Sequence, residues 1–119
     1  GGKGDDLLIG NTASNRLKGK KGDDVLYAST GSKDKLIGGK GRDKFLIDSN
    51  SETHIIIKDF HPRQDQLVFD MPPESVSLQE TKQNMKVFAE DRLVAKILNA
   101  TKIDQDRNIL FSNFDAFGL

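Results

Sequence analysis

A period of nine residues runs through the first 48 positions, and it narrows the folds open to this chain more than any other feature. The units are Gly1 to Ile9, Gly10 to Lys18, Gly19 to Tyr27, a looser stretch from Ala28 to Ile37 with one extra residue, and Gly38 to Leu46. Two columns persist through all of them. An Asp or Asn recurs at Asp6, Asn15, Asp24, Asp34 and Asp43, and two residues later a large apolar side chain recurs at Leu8, Leu17, Leu26, Leu36 and Phe45. Self-similarity at a short fixed period marks a stacked repeat, in which each unit buries its apolar face only against its neighbours.

One regular apolar position in nine cannot make an amphipathic helix, which needs three or four per two turns. A three-residue strand pointing its apolar side chain inward, followed by a six-residue turn, satisfies the spacing. Glycines early in the unit let the turn adopt positive φ and bring carbonyl oxygens inward. Two units then complete one coil of 18 residues, and units of equal parity stack directly. A hard cation fits between stacked turns, where carbonyls and the recurring carboxylate supply the roughly 6 to 8 oxygens at about 2.3–2.6 Å that calcium takes. So few apolar side chains return much less than the ordering of the backbone costs. This half is therefore expected to fold only with a bound metal or against a folded neighbour.

Composition closes off other sources of cohesion and several functions. The 119 residues contain no cysteine, so neither a disulfide nor a thiolate zinc site can hold the chain. Lys+Arg and Asp+Glu are equal at 18 each, and the pI near 6.9 argues against nucleic acid or anionic lipid as main partner. The longest apolar runs are as short as Ile55 to Ile57, far below the roughly 18 residues of a transmembrane segment. Gly1-Gly2-Lys3-Gly4 has no apolar stretch behind it, so no cleavable signal is read there, and the chain looks like a fragment of something longer. There is no His-Glu-x-x-His, no G-x-S-x-G, no cysteine nucleophile and no phosphate-binding G-x-x-x-x-G-K-[ST], so no enzyme is expected.

Ten of the 11 glycines lie before residue 49, and the composition changes there. The sequence divides into 1–48, the repeats, and 49–119, a β-rich cap. Strands are expected at His54 to Lys58, Gln66 to Phe69, Ser75 to Gln79, Met85 to Ala89 and Leu93 to Leu98, with turns at Pro72-Pro73 and Glu90-Asp91. A short helix is expected around Thr101 to Asn108. Phe111, Phe114 and Phe117 read as core anchors of a terminal segment, and His54 and His61 as strand and pre-proline turn residues. A cap suits the open end of a solenoid.

The repeat matches G-G-x-G-x-D-x-U-x, and the chain resembles the RTX, or hemolysin-type, calcium-binding proteins. The run Gly38-Gly39-Lys40-Gly41-Arg42-Asp43-Lys44-Phe45, then Ile55 to Phe60 with Asp59, then Arg63-Gln64-Asp65-Gln66-Leu67, is similar to the close of the β-roll in serralysin-type metalloproteases and other type I secreted proteins. The likeness covers residues 1 to 70 well and the tail more loosely. It implies an all-β fold: a calcium-binding parallel β-roll followed by a β-rich C-terminal capping region.

The resemblance also implies ligand sets, in which lysines offer main-chain carbonyls only. One site would use Gly2, Gly4, Asp6, Gly19, Lys21 and Asp24. A second would use Lys20, Gly22, Asp24, Gly38, Lys40 and Asp43. A third, at the exit, would join Gly39, Gly41 and Asp43 to Asp59 and Asp65. On the other parity stand Asn11, Ala13, Asn15, Ala28, Thr30 and Asp34, where both units depart from the pattern. Residues 1–48 carry ten Lys+Arg against seven Asp, a net of +3, where the family is usually acidic.

The function implied is a non-catalytic Ca2+ module that folds on calcium binding after export, serving as the C-terminal folding and secretion domain of a larger extracellular protein. Its partners would be calcium ions, the bacterial type I secretion machinery and an N-terminal effector domain. The alternative is an adhesion or carbohydrate-contact module using the roll as a static scaffold. Seven Phe, one Tyr and no Trp give that alternative little aromatic surface.

Overall fold

The computed structural model describes residues 4–10, 15–28, 34–48, 54–100, 103 and 107–117. Each nonapeptide unit contributes one short strand: β1 (Leu7–Ile9), β2 (Arg16–Lys18), β3 (Val25–Tyr27), β4 (Lys35–Ile37) and β5 (Lys44–Ile47). They are followed by β6 (Ile55–Ile57), β7 (Gln66–Phe69), β8 (Val76–Glu80), β9 (Met85–Ala89), β10 (Arg92–Ile97) and β11 (Ile109–Phe111). Parity sorts them. One sheet runs β1-β3-β5-β7-β11, all parallel, and the other runs β2-β4-β6-β10-β9-β8. The fold is all-β, and both sheets continue past the composition change near residue 48, through the β4–β6 and β5–β7 pairings.

Register explains why one apolar residue per unit suffices. In the first sheet Leu8, Leu26, Phe45, Leu67 and Ile109 stand in one column, strand over strand. In the second, Leu17, Leu36, Ile57, Ile97 and Met85 do the same. The two columns meet between the sheets as a continuous core. Leu26, Leu36, Phe45, Ile57, Leu67 and Ile97 are fully buried, while Leu8 and Leu17, in the first coil, are only partly covered.

The cap is built differently. β10 enters the second sheet parallel to β6, and the Glu90-Asp91 turn sends it antiparallel to β9, which pairs in turn with β8. Glu90 takes a left-handed φ of 57° in this tight turn. Val87, Val94 and Ala95 then close the end of the core.

Sequence reading placed β6 to β10 within a residue or so of their observed bounds but did not foresee β11. Part of the expected helix from Thr101 to Asn108 lies outside the described residues. Its described members, Ile103, Arg107 and Asn108, are not helical, and Asn108 leads directly into β11. The terminal phenylalanines are not core anchors. Phe111 is 40% exposed and stacks on Phe69, and Phe114 packs edge-on against Tyr27 at 5.2 Å between ring centroids. Tyr27, Leu46 and Val68 share an outward column of the first sheet, so Phe114 belongs to an outer layer.

Candidate metal centre

The recurring Asp column forms a ladder along one side of the roll. Asp24 Oδ1 accepts the backbone N–H of Asp6 at 2.8 Å, Asp43 Oδ1 that of Asp24 at 2.9 Å, and Asp65 Oδ1 that of Asp43 at 2.9 Å. On the opposite parity Asp34 Oδ1 accepts the N–H of Asn15, so the departures in those units leave this contact in place. Each carboxylate thus ties its turn to the one stacked before it. The backbone repeats the step: Val25, Lys44 and Gln66 donate to the carbonyls of Asp6, Asp24 and Asp43 at 2.8–2.9 Å.

What this arrangement leaves over is chemically informative. Asp24, Asp34 and Asp43 are essentially inaccessible, and in each the second oxygen, Oδ2, is buried with no hydrogen-bond partner. An orphaned carboxylate oxygen in the interior costs the desolvation of a charged acceptor unless a cation meets it. Burial pushes the carboxyls of Asp24, Asp43 and Asp65 up, and Asp43 reaches about 7. For Asp43 the N–H of Asp24 pulls the other way, while Asp65, Asp24 and Asp59 add like charge. Groups so placed take up either a proton or a metal.

The glycines make room for oxygens. A side chain on buried Gly38 would put its Cβ 2.5 Å from Asp43 Oδ2. Gly22, at φ +104°, lies so close under the carbonyl of Gly4 that a Cβ there would collide with that oxygen. Carbonyls of Lys20, Gly22 and Gly38 press in the same way on Gly39, Gly41 and Gly19. Lys20 itself holds φ 70° at a position where the repeat favours glycine, and Lys20, Lys21 and Lys40 are exposed, consistent with backbone-only roles. Ala28 is buried, with its carbonyl against Gly10.

The exit residues behave differently. Asp59 places Oδ1 on the N–H of Gly38 and Oδ2 on that of Gly39, at 2.8 and 2.7 Å. Asp65 gives its second oxygen to the N–H of His61 at 2.8 Å, with the His61 ring 3.4 Å away. Asp59 is thus brought to Gly39 and Asp65 to Asp43 in the last turn, with every carboxylate oxygen already accepting an N–H, and neither is hydrogen-bonded to Gly41. Gly2, Asn11, Ala13 and Thr30 lie outside the described residues. Among the described residues no group of three or more His, Asp or Glu side chains gathers at one point.

Sequence reading missed two supports. Asp5 and Asp23, one place before the ladder, form an outer one, accepting the N–H groups of Asp23 and Arg42 at 2.7 and 2.8 Å. The recurrence of Asp at that place was the available signal. Buried Asn108 donates to the carbonyls of Pro62 and Asp65 at 2.7 and 2.9 Å, fastening the loop that carries Asp65. That contact spans more than forty residues and has no local signature.

Comparison with known proteins agrees with the geometry. The family model of the RTX calcium-binding nonapeptide repeat matches residues 1–32 in four copies. No curated protein matches the chain in sequence. Among solved structures, the AlgE6R3 subunit of the mannuronan C5-epimerase from Azotobacter vinelandii is 21% identical, with a TM-score of 0.57 over 94% of this chain and 81% of that one. The extracellular lipase LipA of Serratia marcescens is 18% identical, with a TM-score of 0.55 over 94% of this chain but only 20% of the lipase. The N-terminal units of this chain are RTX calcium-binding nonapeptide repeats, wound into a parallel β-roll.

Proposed function

We propose that this chain is a calcium-responsive, non-catalytic folding module of an exported protein. The observation that carries the reading is the trio of buried, unpartnered carboxylate oxygens on Asp24, Asp34 and Asp43, of which those of Asp24 and Asp43 lie against Gly19 and Gly38. Without metal these groups oppose folding; with calcium they hold the turns together, so calcium binding and folding are one equilibrium. In the cytosol, where calcium is scarce, the repeats stay unfolded and can be threaded through a type I exporter; outside, they fold.

On this reading Gly4, Asp6, Gly19, Lys21 and Asp24 serve one site, and Lys20, Gly22, Asp24, Gly38, Lys40 and Asp43 the next. Asp34, Asn15 and Ala28 serve the opposite parity. Asp59 and Asp65 close the last turn beside Asp43. Residues 1–48 are the calcium-binding part, and 49–119 the cap and secretion region.

The test is far-UV circular dichroism during a calcium titration, with magnesium as control and Asp24→Ala alongside. We expect a calcium-specific coil-to-β transition whose midpoint moves to higher calcium in the variant by roughly tenfold or more, because a charged ligand is lost. A full β signal in chelator with no response to calcium would sink the proposal in favour of a static scaffold.

A further inference from the structure

Beside the last coil, a cleft of ≈ 460 Å³ is lined by Arg42, Lys44, Arg63 and Arg107, with Gln64, Gln66 and the buried Asp43. Its cations come from separate places in the chain: the turn before β5, β5 itself, the loop between β6 and β7, and the approach to β11. Pairing sets them together, because Lys44 stands opposite Gln66 in the register. Gln66 Nε2 donates to the carbonyl of Arg107 at 3.1 Å, fixing the backbone from which that side chain leaves. In a chain of zero net charge, four cations face one carboxylate among the described residues of the lining, and that carboxylate belongs to the interior.

None of the four cations forms an ion pair among the described residues. Arg42, Arg63 and Arg107 are exposed and Lys44 half-buried. Guanidinium forks take planar or tetrahedral oxyanions in bidentate fashion. Among the described residues the lining has no aromatic ring on which a nucleobase would stack, and no large apolar side chain to enter a bilayer or anchor a protein partner. What fits is a slender, polar chain carrying anionic groups, whose hydroxyls suit the amides of Gln64 and Gln66.

We propose that this cleft binds an acidic polysaccharide, with its carboxylate or sulfate groups seated on Arg42, Lys44, Arg63 and Arg107. The proposal rests on the calcium reading only in requiring a folded roll, so it is tested at saturating calcium, with circular dichroism reporting the fold separately. Calorimetry with dextran sulfate, carboxymethyl-dextran and neutral dextran holds the sugar backbone constant and varies the charge.

We expect binding to a charged dextran and none to the neutral one. The affinity should fall by about tenfold or more in an Arg63→Gln/Arg107→Gln variant and by less in each single variant, since charge-assisted contacts are lost. Raising sodium chloride from roughly 0.05 to 0.5 M should weaken binding, as screening requires. The calcium transition of the variants should match the parent. Failure of both charged dextrans to bind, undiminished binding by the double variant, or tighter binding to duplex DNA or to anionic vesicles would each overturn the proposal.

Discussion

Replacing Asp43 by Asn separates the two states of the roll, because the side chain has opposite effects in each. Its carboxyl is fully buried and pushed up from 3.8 to about 7 by desolvation. Below pH 3.8 the group is protonated whether the chain is folded or not, and the burial penalty on the ionised form is absent. Between 3.8 and 7 the folded state holds a proton that the unfolded state has lost, so stability declines as pH rises through that window. By pH 8 the decline has run its course. At about 1.4 kcal/mol per pH unit it amounts to about 4 kcal/mol against the metal-free fold.

Asn removes that charge. It keeps an oxygen for the Asp24 N–H and puts an amide where Oδ2 was orphaned. A poorly paired buried amide costs about 1–3 kcal/mol, leaving a net gain of about 1–3 kcal/mol for the metal-free roll. The same change deletes a charged calcium ligand. In chelator at pH 8, Asp43→Asn should show more β signal and greater resistance to urea than the parent, while its calcium midpoint shifts upward. A variant with less β structure in chelator and an unchanged calcium midpoint would refute the argument, because the orphaned carboxylate would then be neither costly without metal nor useful with it.

Further predictions concern the turns and the protons. Gly22→Ala should destabilise the calcium-loaded roll by more than about 2 kcal/mol in thermal or urea unfolding, since it meets both an unfavourable φ of +104° and the Gly4 carbonyl. Lys20→Gly should leave calcium binding intact and stabilise the roll by roughly 0.5–1 kcal/mol, as relief of its φ of 70° outweighs the added chain entropy. Calcium affinity should rise from pH 6 to 8, because protons compete for Asp43 near 7 and the carboxyls of Asp24 and Asp65 are also raised. Isothermal titration at several pH values would show this as proton release on binding, and a flat profile would contradict it.

The period of nine was enough to specify strand length, the inward Leu8-to-Phe45 column and the Asp6-to-Asp43 column, because in a parallel coil a side chain's height follows directly from its place in the unit. Local turn chemistry likewise placed the hairpin at Glu90-Asp91. The positions where sequence was silent are those decided by distant partners. β11 exists because its three residues complete the edge beyond β7, and Asn108 matters because two carbonyls more than forty residues away require a donor. Phe114 lies on an outer face because Tyr27 is there to receive it. The orphaned oxygens of Asp24, Asp34 and Asp43 also belong to the tertiary structure. The repeat says that a carboxylate recurs, but only the stacked turns show that one oxygen is satisfied by a neighbouring N–H and the other is left buried without a partner.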